Sequence, residues 1–254
     1  MTRSLALCYH AVSERWDAAL SVTPRAFEAQ VARLVRRGYD GVTFSELVER
    51  GGDRLLAITF DDAYRSVITT AKPILDRYEL PATVYVPTKF AGTEQPMSWP
   101  GVAPWIGTKF ESELIPMSWQ ELGDLVACGW EIGSHTCSHP HLTAIDDAAL
   151  ERELGDSRSR CEHKLGLACR SLAYPYGDHD ERVVAAAAAA GYESAATLPA
   201  FFSPSPSPLA YPRVGVYFGD HMWRFRVKTS SAVRRLRAVS PLHSARRTPP
   251  RARG

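Results

Sequence analysis

Short apolar runs alternate with amphipathic stretches along most of this chain, and few folds accept that pattern. Residues 5–9, 42–44, 55–60, 81–86, 130–134, 171–174, 193–197 and 212–216 read as strands. The stretches between them carry helical spacing and helical punctuation. Thr23-Pro24 suits an N-cap and first turn, Phe27, Val31, Leu34 and Val35 recur at helical intervals, and Gly38 closes the run. Ser45, Ser118, Asp146 and Asp180 read as caps of further helices, closed by Gly51, Gly129, Gly166 and Gly191. Residues 64–78 read as one more helix, with a kink expected at Pro73. Such alternation indicates a parallel sheet with crossover helices. About seven units in 254 residues favour an α/β chain closed as a distorted (β/α) barrel of about seven parallel strands. No glycine-rich phosphate-binding pattern is present, so nothing points to a nucleotide site.

Three of these strands end in unusual polar clusters: Asp61-Asp62, His135 to His139, and Tyr174-Pro175-Tyr176-Gly177. In a parallel barrel the C-terminal strand ends share one face, and active sites are built there. Taken alone, the Asp pair suits a helix cap, and a His pair four residues apart is commonplace on surfaces. Joined at one barrel face, they suggest a metal site. On a helical turn, His135 and His139 would point their imidazoles the same way. Adding one carboxylate gives two His and one Asp with a position left open for water, the catalytic form of a zinc site. The second carboxylate would stay free to take a proton from that water. This is machinery for hydrolysing an amide or ester.

The chain resembles a polysaccharide deacetylase of carbohydrate esterase family four, the nodulation-type deacetylase domain. Thr59-Phe60-Asp61-Asp62, His135-Thr136-Cys137-Ser138-His139 with Pro140, and Tyr174-Pro175-Tyr176-Gly177 carry the resemblance, which covers about residues 5 to 220. It implies metal-dependent removal of N-acetyl groups from an amino sugar. Asp61 would be the general base. Asp62, His135 and His139 would hold a divalent metal, zinc first, with cobalt, nickel or manganese as alternatives. The backbone N–H of Tyr176 would polarise the acetyl carbonyl.

Three departures from the family pattern stand out. Ala63 replaces the usual Gly after the Asp pair, a small change unless the turn needs positive φ. Ala173 stands where an Arg usually orients the base; Arg213, at the start of the last strand, is the candidate to supply that charge, though it also fits an ordinary surface arginine. The late Leu-x-His motif that supplies the general acid is absent near the C-terminus. However, Leu7-Cys8-Tyr9-His10 is similar to it, as in the surface-adhesin (poly-N-acetylglucosamine) deacetylases, whose last strand comes first. His10 is therefore the expected acid, against the alternative of a buried histidine satisfying a backbone group.

Trp99 and Trp105, in an irregular insertion over residues 88–117, are candidates to stack on sugar rings. Tyr174 is a further candidate for substrate contact, although it suits a core or rim position as well. The nearest rival activities are an O-acetyl carbohydrate esterase and a small-amide amidohydrolase of the same fold. A catalytically silent carbohydrate-binding relative is the rival from another class.

Charge divides the chain. Ten Arg and Lys and no acid follow Asp220, and removing them from the net +2 leaves −8 on the first 220 residues. The expected organisation is a catalytic domain over residues 1–222 and an Arg-rich tail over 223–254, partly disordered. That tail could touch an anionic membrane face; no nucleic acid partner is expected beside the N-acetylated carbohydrate substrate. There is no run of 18 apolar residues and no signal-peptide pattern. Five cysteines without C-x-x-C spacing favour reduced thiols. The expected location is thus cytoplasmic, where a lipid-linked or nucleotide-linked precursor or a short oligosaccharide would be met.

Overall fold

The strands in chain order are β1 (Leu5–Tyr9), β2 (Ala11–Val12), β3 (Ser21–Val22), β4 (Asp40–Val42), β5 (Leu55–Phe60), β6 (Thr83–Val86), β7 (Glu131–Ser134), β8 (Ser171–Ala173), β9 (Ser194–Thr197), β10 (Tyr211–Pro212) and β11 (Val214–Gly215). They come from a computed structural model that describes residues 3–198 and 206–238. The main sheet runs β10-β9-β8-β7-β6-β5-β1-β11, all neighbours parallel, with β4 beside the first half of β5. β2 and β3 form a separate parallel pair.

The two ends of this path are consecutive in sequence. Tyr211 pairs with Ala196 on one edge, whereas Val214 pairs with Leu7 on the other. Arg213 lies between them, its N–H donating to the Thr197 carbonyl (3.0 Å). One segment broken at Arg213 therefore bonds both edges and draws the sheet into a nearly closed, distorted (β/α) barrel. The path holds eight strands, against the seven or so expected, because this last element counts as two halves.

Side chains alternate across a strand, so the inward set can be followed residue by residue. Ala6, Ala57, Tyr85, Ala173 and Ala196 form one buried cluster, with Phe44 and Leu47 packed against it. Gly133 belongs here too, since a Cβ would lie 2.5 Å from the Ser171 hydroxyl and 2.6 Å from the Tyr85 ring. Small residues around Tyr85 leave room inside the barrel for one long side chain, and Arg213 takes it. The larger core lies outside the strands, where Leu7, Tyr9, Ile58, Phe60 and Val84 meet Phe27, Val31 and Leu34 of the helix Pro24–Val35.

The helix caps follow the sequence closely, with one exception. Thr23, Ser118, Asp146 and Asp180 each accept a backbone N–H at a helix start. The helix Phe44–Arg50, however, is capped by Thr43 in a capping box with Glu46, not by Ser45. Ser45 Oγ instead bonds Glu131 at 2.5 Å. The helix expected over 64–78 is shorter: a π turn at Val67–Ala71 precedes Lys72–Asp76. Pro73 has no N–H for the carbonyl four residues back, and the widened turn accommodates that gap.

The stretch over 88–117 is folded. It contains short 3₁₀ turns at Ala103–Trp105 and Glu111–Leu114, Met97 N donates to Leu114 O (3.0 Å), and Met97, Val102, Leu114 and Met117 are buried. After Asp220 the chain forms helices at Met222–Thr229 and Ser231–Ala238. The tail from residue 239, and residues 199–205, lie outside the described residues.

Candidate active site

Asp61 follows Ala57 and Thr59 on the inward side of β5, so alternation points it into the barrel mouth. Asp62 should then face outward. Its φ of 70° and the 55° of Ala63 turn the chain back, and both carboxylates are buried at the same end. The turn does adopt positive φ at Ala63, where glycine would be unstrained. Among the described residues, seven non-glycine positions have positive φ, and five of them belong to this site: Asp62, Ala63, Thr136, His139 and Tyr176. Backbone strain of this kind persists only where surrounding contacts over-determine it.

Those contacts are visible in the His135–His139 segment, which is a loop and not the helical turn expected. Left-handed Thr136 and His139 reverse the chain and bring the two rings to 4.8 Å, edge to face. Glu153, on the helix Asp147–Leu165, accepts the Cys137 N–H (2.8 Å), the Ser138 N–H (2.8 Å) and the Ser138 hydroxyl (2.6 Å). Thr88 N and Lys89 N donate to the Thr136 and Cys137 carbonyls from the other side. Nothing in the sequence singles out Glu153, because its partners are two backbone N–H groups and one hydroxyl 15 and 16 residues away.

Asp62, His135 and His139 converge so that one ligand atom from each lies within 4.8 Å of the others. Both imidazole Nε2 atoms are 3.4 Å from Asp62 Oδ1. The Ala173 carbonyl can only accept, so His135 Nδ1, 2.8 Å away, must carry the proton, leaving Nε2 as a lone-pair donor. Burial drives the His135 pKa down, and burial with the His135 charge takes His139 to about 2, so both rings are neutral, as ligands must be. Burial, then Asp61, pushes the Asp62 carboxyl well up, and its Oδ1 has no hydrogen-bond partner. A buried oxygen left bare between two nitrogen donors fits a divalent cation, and the two-nitrogen, one-oxygen set suits zinc or its neighbours.

Asp61 is handled differently. Arg213, 1% exposed, grips it with Nη1–Oδ1 at 2.6 Å and Nη2–Oδ2 at 2.8 Å, and Nη1 also reaches Thr59 Oγ1 (2.7 Å). The guanidinium sits over the Tyr85 ring at 5.2 Å. Burial opposes ionisation of Asp61, but the charge and hydrogen bonds of Arg213, together with His135 and His10, hold the carboxyl well below the usual range. Cys8 Sγ donates to Asp61 Oδ2 at 3.3 Å. His10 completes a second cluster in which Cys8, His10 and Asp61 each place a polar atom within 4.8 Å of the others. Arg213 already supplies a cation there, which makes this cluster unsuited to a second metal. His10 is buried, and desolvation lowers its pKa to about 4 despite the Asp61 charge.

The aromatic expectations need correction. Tyr174 is fully buried, its hydroxyl donating to the Leu209 carbonyl (2.9 Å), so it packs the core. Trp99 is 6% exposed and lies against His139, rings stacked at 4.4 Å. It therefore backs His139 and is not an open sugar platform. Trp105 is partly buried, edge-on to Trp16 (5.8 Å) and Phe110 (5.4 Å), which places it in the packing of the 88–117 segment. Tyr176 is an exposed aromatic at the mouth. It is 41% exposed, touches His139 at 4.6 Å and stacks on His141 at 4.0 Å.

Comparison with known proteins places this geometry. The chain is 28% identical over 174 residues to the poly-beta-1,6-N-acetyl-D-glucosamine N-deacetylase of Staphylococcus epidermidis, covering 62% of this chain and 54% of that protein. It is 24% identical over 197 residues to YxkH of Bacillus subtilis, whose name places it with polysaccharide deacetylases, covering 75% of this chain and 63% of that one. The chain thus spans a little over half the length of these relatives. Deacetylase PplD of Streptococcus pyogenes superposes with a TM-score of 0.73 at 20% identity, over 89% of this chain and 97% of that one, which shows a common fold. IcaB of Ammonifex degensii gives 0.69 at 24% identity over 89% and 96%. The polysaccharide deacetylase family model matches residues 49–195, from the end of the helix Phe44–Arg50 to the first half of β9, and the chain belongs to that family.

Proposed function

We propose that this protein hydrolyses N-acetyl groups on an amino-sugar glycan, giving the free amine and acetate. One observation carries the reading. Of two adjacent buried carboxylates, Asp61 is engaged by Arg213, while Asp62 presents a bare oxygen to two imidazole nitrogens. Such a divided pair suits a metal ligand beside a proton acceptor. The names of the Staphylococcus relatives, which specify N-deacetylation of poly-N-acetylglucosamine, support the substrate class.

Asp62, His135 and His139 would hold the ion, which when bound supplies Lewis acidity and brings a water near neutral pKa. Asp61, kept ionised by Arg213, accepts the proton of the attacking water. The backbone N–H of Tyr176 is the donor for the acetyl oxygen as charge develops on it. His10, within the Asp61 cluster, passes a proton to the amide nitrogen as the carbon–nitrogen bond breaks. Its pKa of about 4 leaves the resting ring neutral near pH 7, so the proton delivered is the one taken from water through Asp61.

The direct test uses β-1,6-linked N-acetylglucosamine oligomers with zinc-loaded protein and product mass analysis. Loss of one acetyl mass per turnover, abolished by a chelator and restored by zinc, is expected. Acetate release from acetylated xylan with none from the amino sugar would replace this reading with an O-acetyl esterase.

A further inference from the structure

At the end of the barrel away from the mouth, the helix Pro24–Val35 meets the two C-terminal helices. A groove of about 460 Å³ opens between them, lined by Arg33, Arg37, Trp223, Arg226, Val227 and Val233, with Ser230 and no acidic residue. The end is fixed by backbone anchors. Gly38 leads from the first helix into the start of β4, and Arg234 Nη1 donates to the Ser4 carbonyl (2.9 Å), one residue before β1. Asp61, His135 and Tyr176 stand beyond the opposite, C-terminal strand ends.

Two properties of this surface pull in one direction. The first is crowded positive charge. Burial, then the charges of Arg226, Arg37 and Arg36, depress the Arg33 guanidinium, as expected of cations held close together. The second is exposed apolar surface. Trp223 is 66% exposed and Val227 46%, while Phe225 and Thr229 of the same helix Met222–Thr229 are buried; Leu236, on the helix Ser231–Ala238, is 74% exposed. Like charges gathered around outward-facing aromatic and aliphatic groups are the surface of an interfacial amphipathic helix. The rest of the tail is a poor occupant, since residues 239–254 carry four arginines and no acid and would be repelled.

We propose that this basic face docks on an anionic phospholipid surface, with Arg33, Arg37 and Arg226 meeting phosphate groups and Trp223, Val227 and Leu236 entering the headgroup layer. Nucleic acid offers phosphates but no apolar layer for Val227 and Leu236. Docked this way, the catalytic mouth faces away from the membrane, towards a glycan approaching from the aqueous side.

Co-sedimentation of the full chain with vesicles tests this. Binding to equimolar phosphatidylglycerol and phosphatidylcholine, but not to phosphatidylcholine alone, is expected, falling as salt rises. Arg33→Gln with Arg226→Gln should weaken the partition about 30-fold, at roughly fivefold per charge near the surface. Trp223→Ala should weaken it at high salt as well as low, and circular dichroism should show both variants folded. Equal binding to both vesicle types would overturn the proposal. So would unchanged binding by the double Arg variant, which would move the contact to the remaining tail. Retention on single-stranded DNA without vesicle binding would assign a polyanion instead, and a dimer dissociated by Trp223→Ala without lipid would make the face a self-contact.

Discussion

Arg213 and Asp61 meet through two hydrogen bonds, 2.6 and 2.8 Å, both side chains buried, across 152 residues of sequence. Arg→Met keeps the volume and removes the charge. Removing one partner of a buried pair typically costs 3–5 kcal/mol. Arg213→Met should therefore lower the melting temperature sharply at neutral pH and abolish turnover. Arg213→Lys, which cannot grip both oxygens, should fold better and remain severely impaired. Wild-type activity in Arg213→Met would contradict the pairing.

That pair also sets a pH dependence. The folded carboxyl of Asp61 titrates below its unfolded counterpart, so the unfolded chain binds the proton first as pH falls. Its stabilisation is full above the ordinary carboxylate range and is lost progressively as pH drops towards the lowered folded value. His10 acts at higher pH. Its folded pKa of about 4 lies under the usual 6.5, so the unfolded chain gains protons between those values and stability falls as pH drops from 6.5 to 4. His10→Gln should flatten that part of a denaturation-versus-pH curve, by at most about 3 kcal/mol.

The same residue should matter to turnover. A group transferring a proton in the transition state contributes ~10²–10⁴-fold. His10→Gln should lower kcat by that factor while bound metal, measured by elemental analysis, stays near one ion per chain. Near-normal turnover would remove His10 from the proton path.

Asp62 gives opposite responses with and without metal. In the metal-free protein its ionised form is penalised by burial and by Asp61. Asp62→Asn should thus raise metal-free thermal stability at pH 7. Wild type should gain about 2.7 kcal/mol at a zinc concentration 100 times the Kd, seen as a rise in Tm, and Asp62→Asn should not respond.

Glu153 tests the loop that carries the histidines. Glu153→Ala leaves the Cys137 and Ser138 N–H groups without their acceptor. Zinc affinity should fall by roughly 10–100-fold, the usual effect of removing support behind a ligand, in a competition titration against a chromophoric chelator.

Much of this was legible because the relevant signals are local. Apolar runs, capping residues and closing glycines expose strands and helices one at a time, and a strand-end Asp pair or a His pair is a short pattern. Arg213 could be nominated only because Ala173 left a charge unassigned, and its seat depends on which strand closes the sheet. Trp99 read as a sugar platform because an insertion tryptophan looks exposed; the 88–117 segment folds back and lays it on His139. Glu153 left no trace, since an acid in the middle of a helix otherwise reads as surface. Ser45 lost its cap role to Thr43 because Glu46 completes a box with Thr43 and Glu131 claims the Ser45 hydroxyl.

The segment broken at Arg213 has a consequence in time. It is the last part of the barrel to leave the ribosome, yet it both joins the two sheet edges and brings the guanidinium to Asp61. A nascent chain short of this segment would carry Asp61 without the guanidinium that pairs with it. Closing the barrel and neutralising its buried Asp61 are thereby tasks of a single segment.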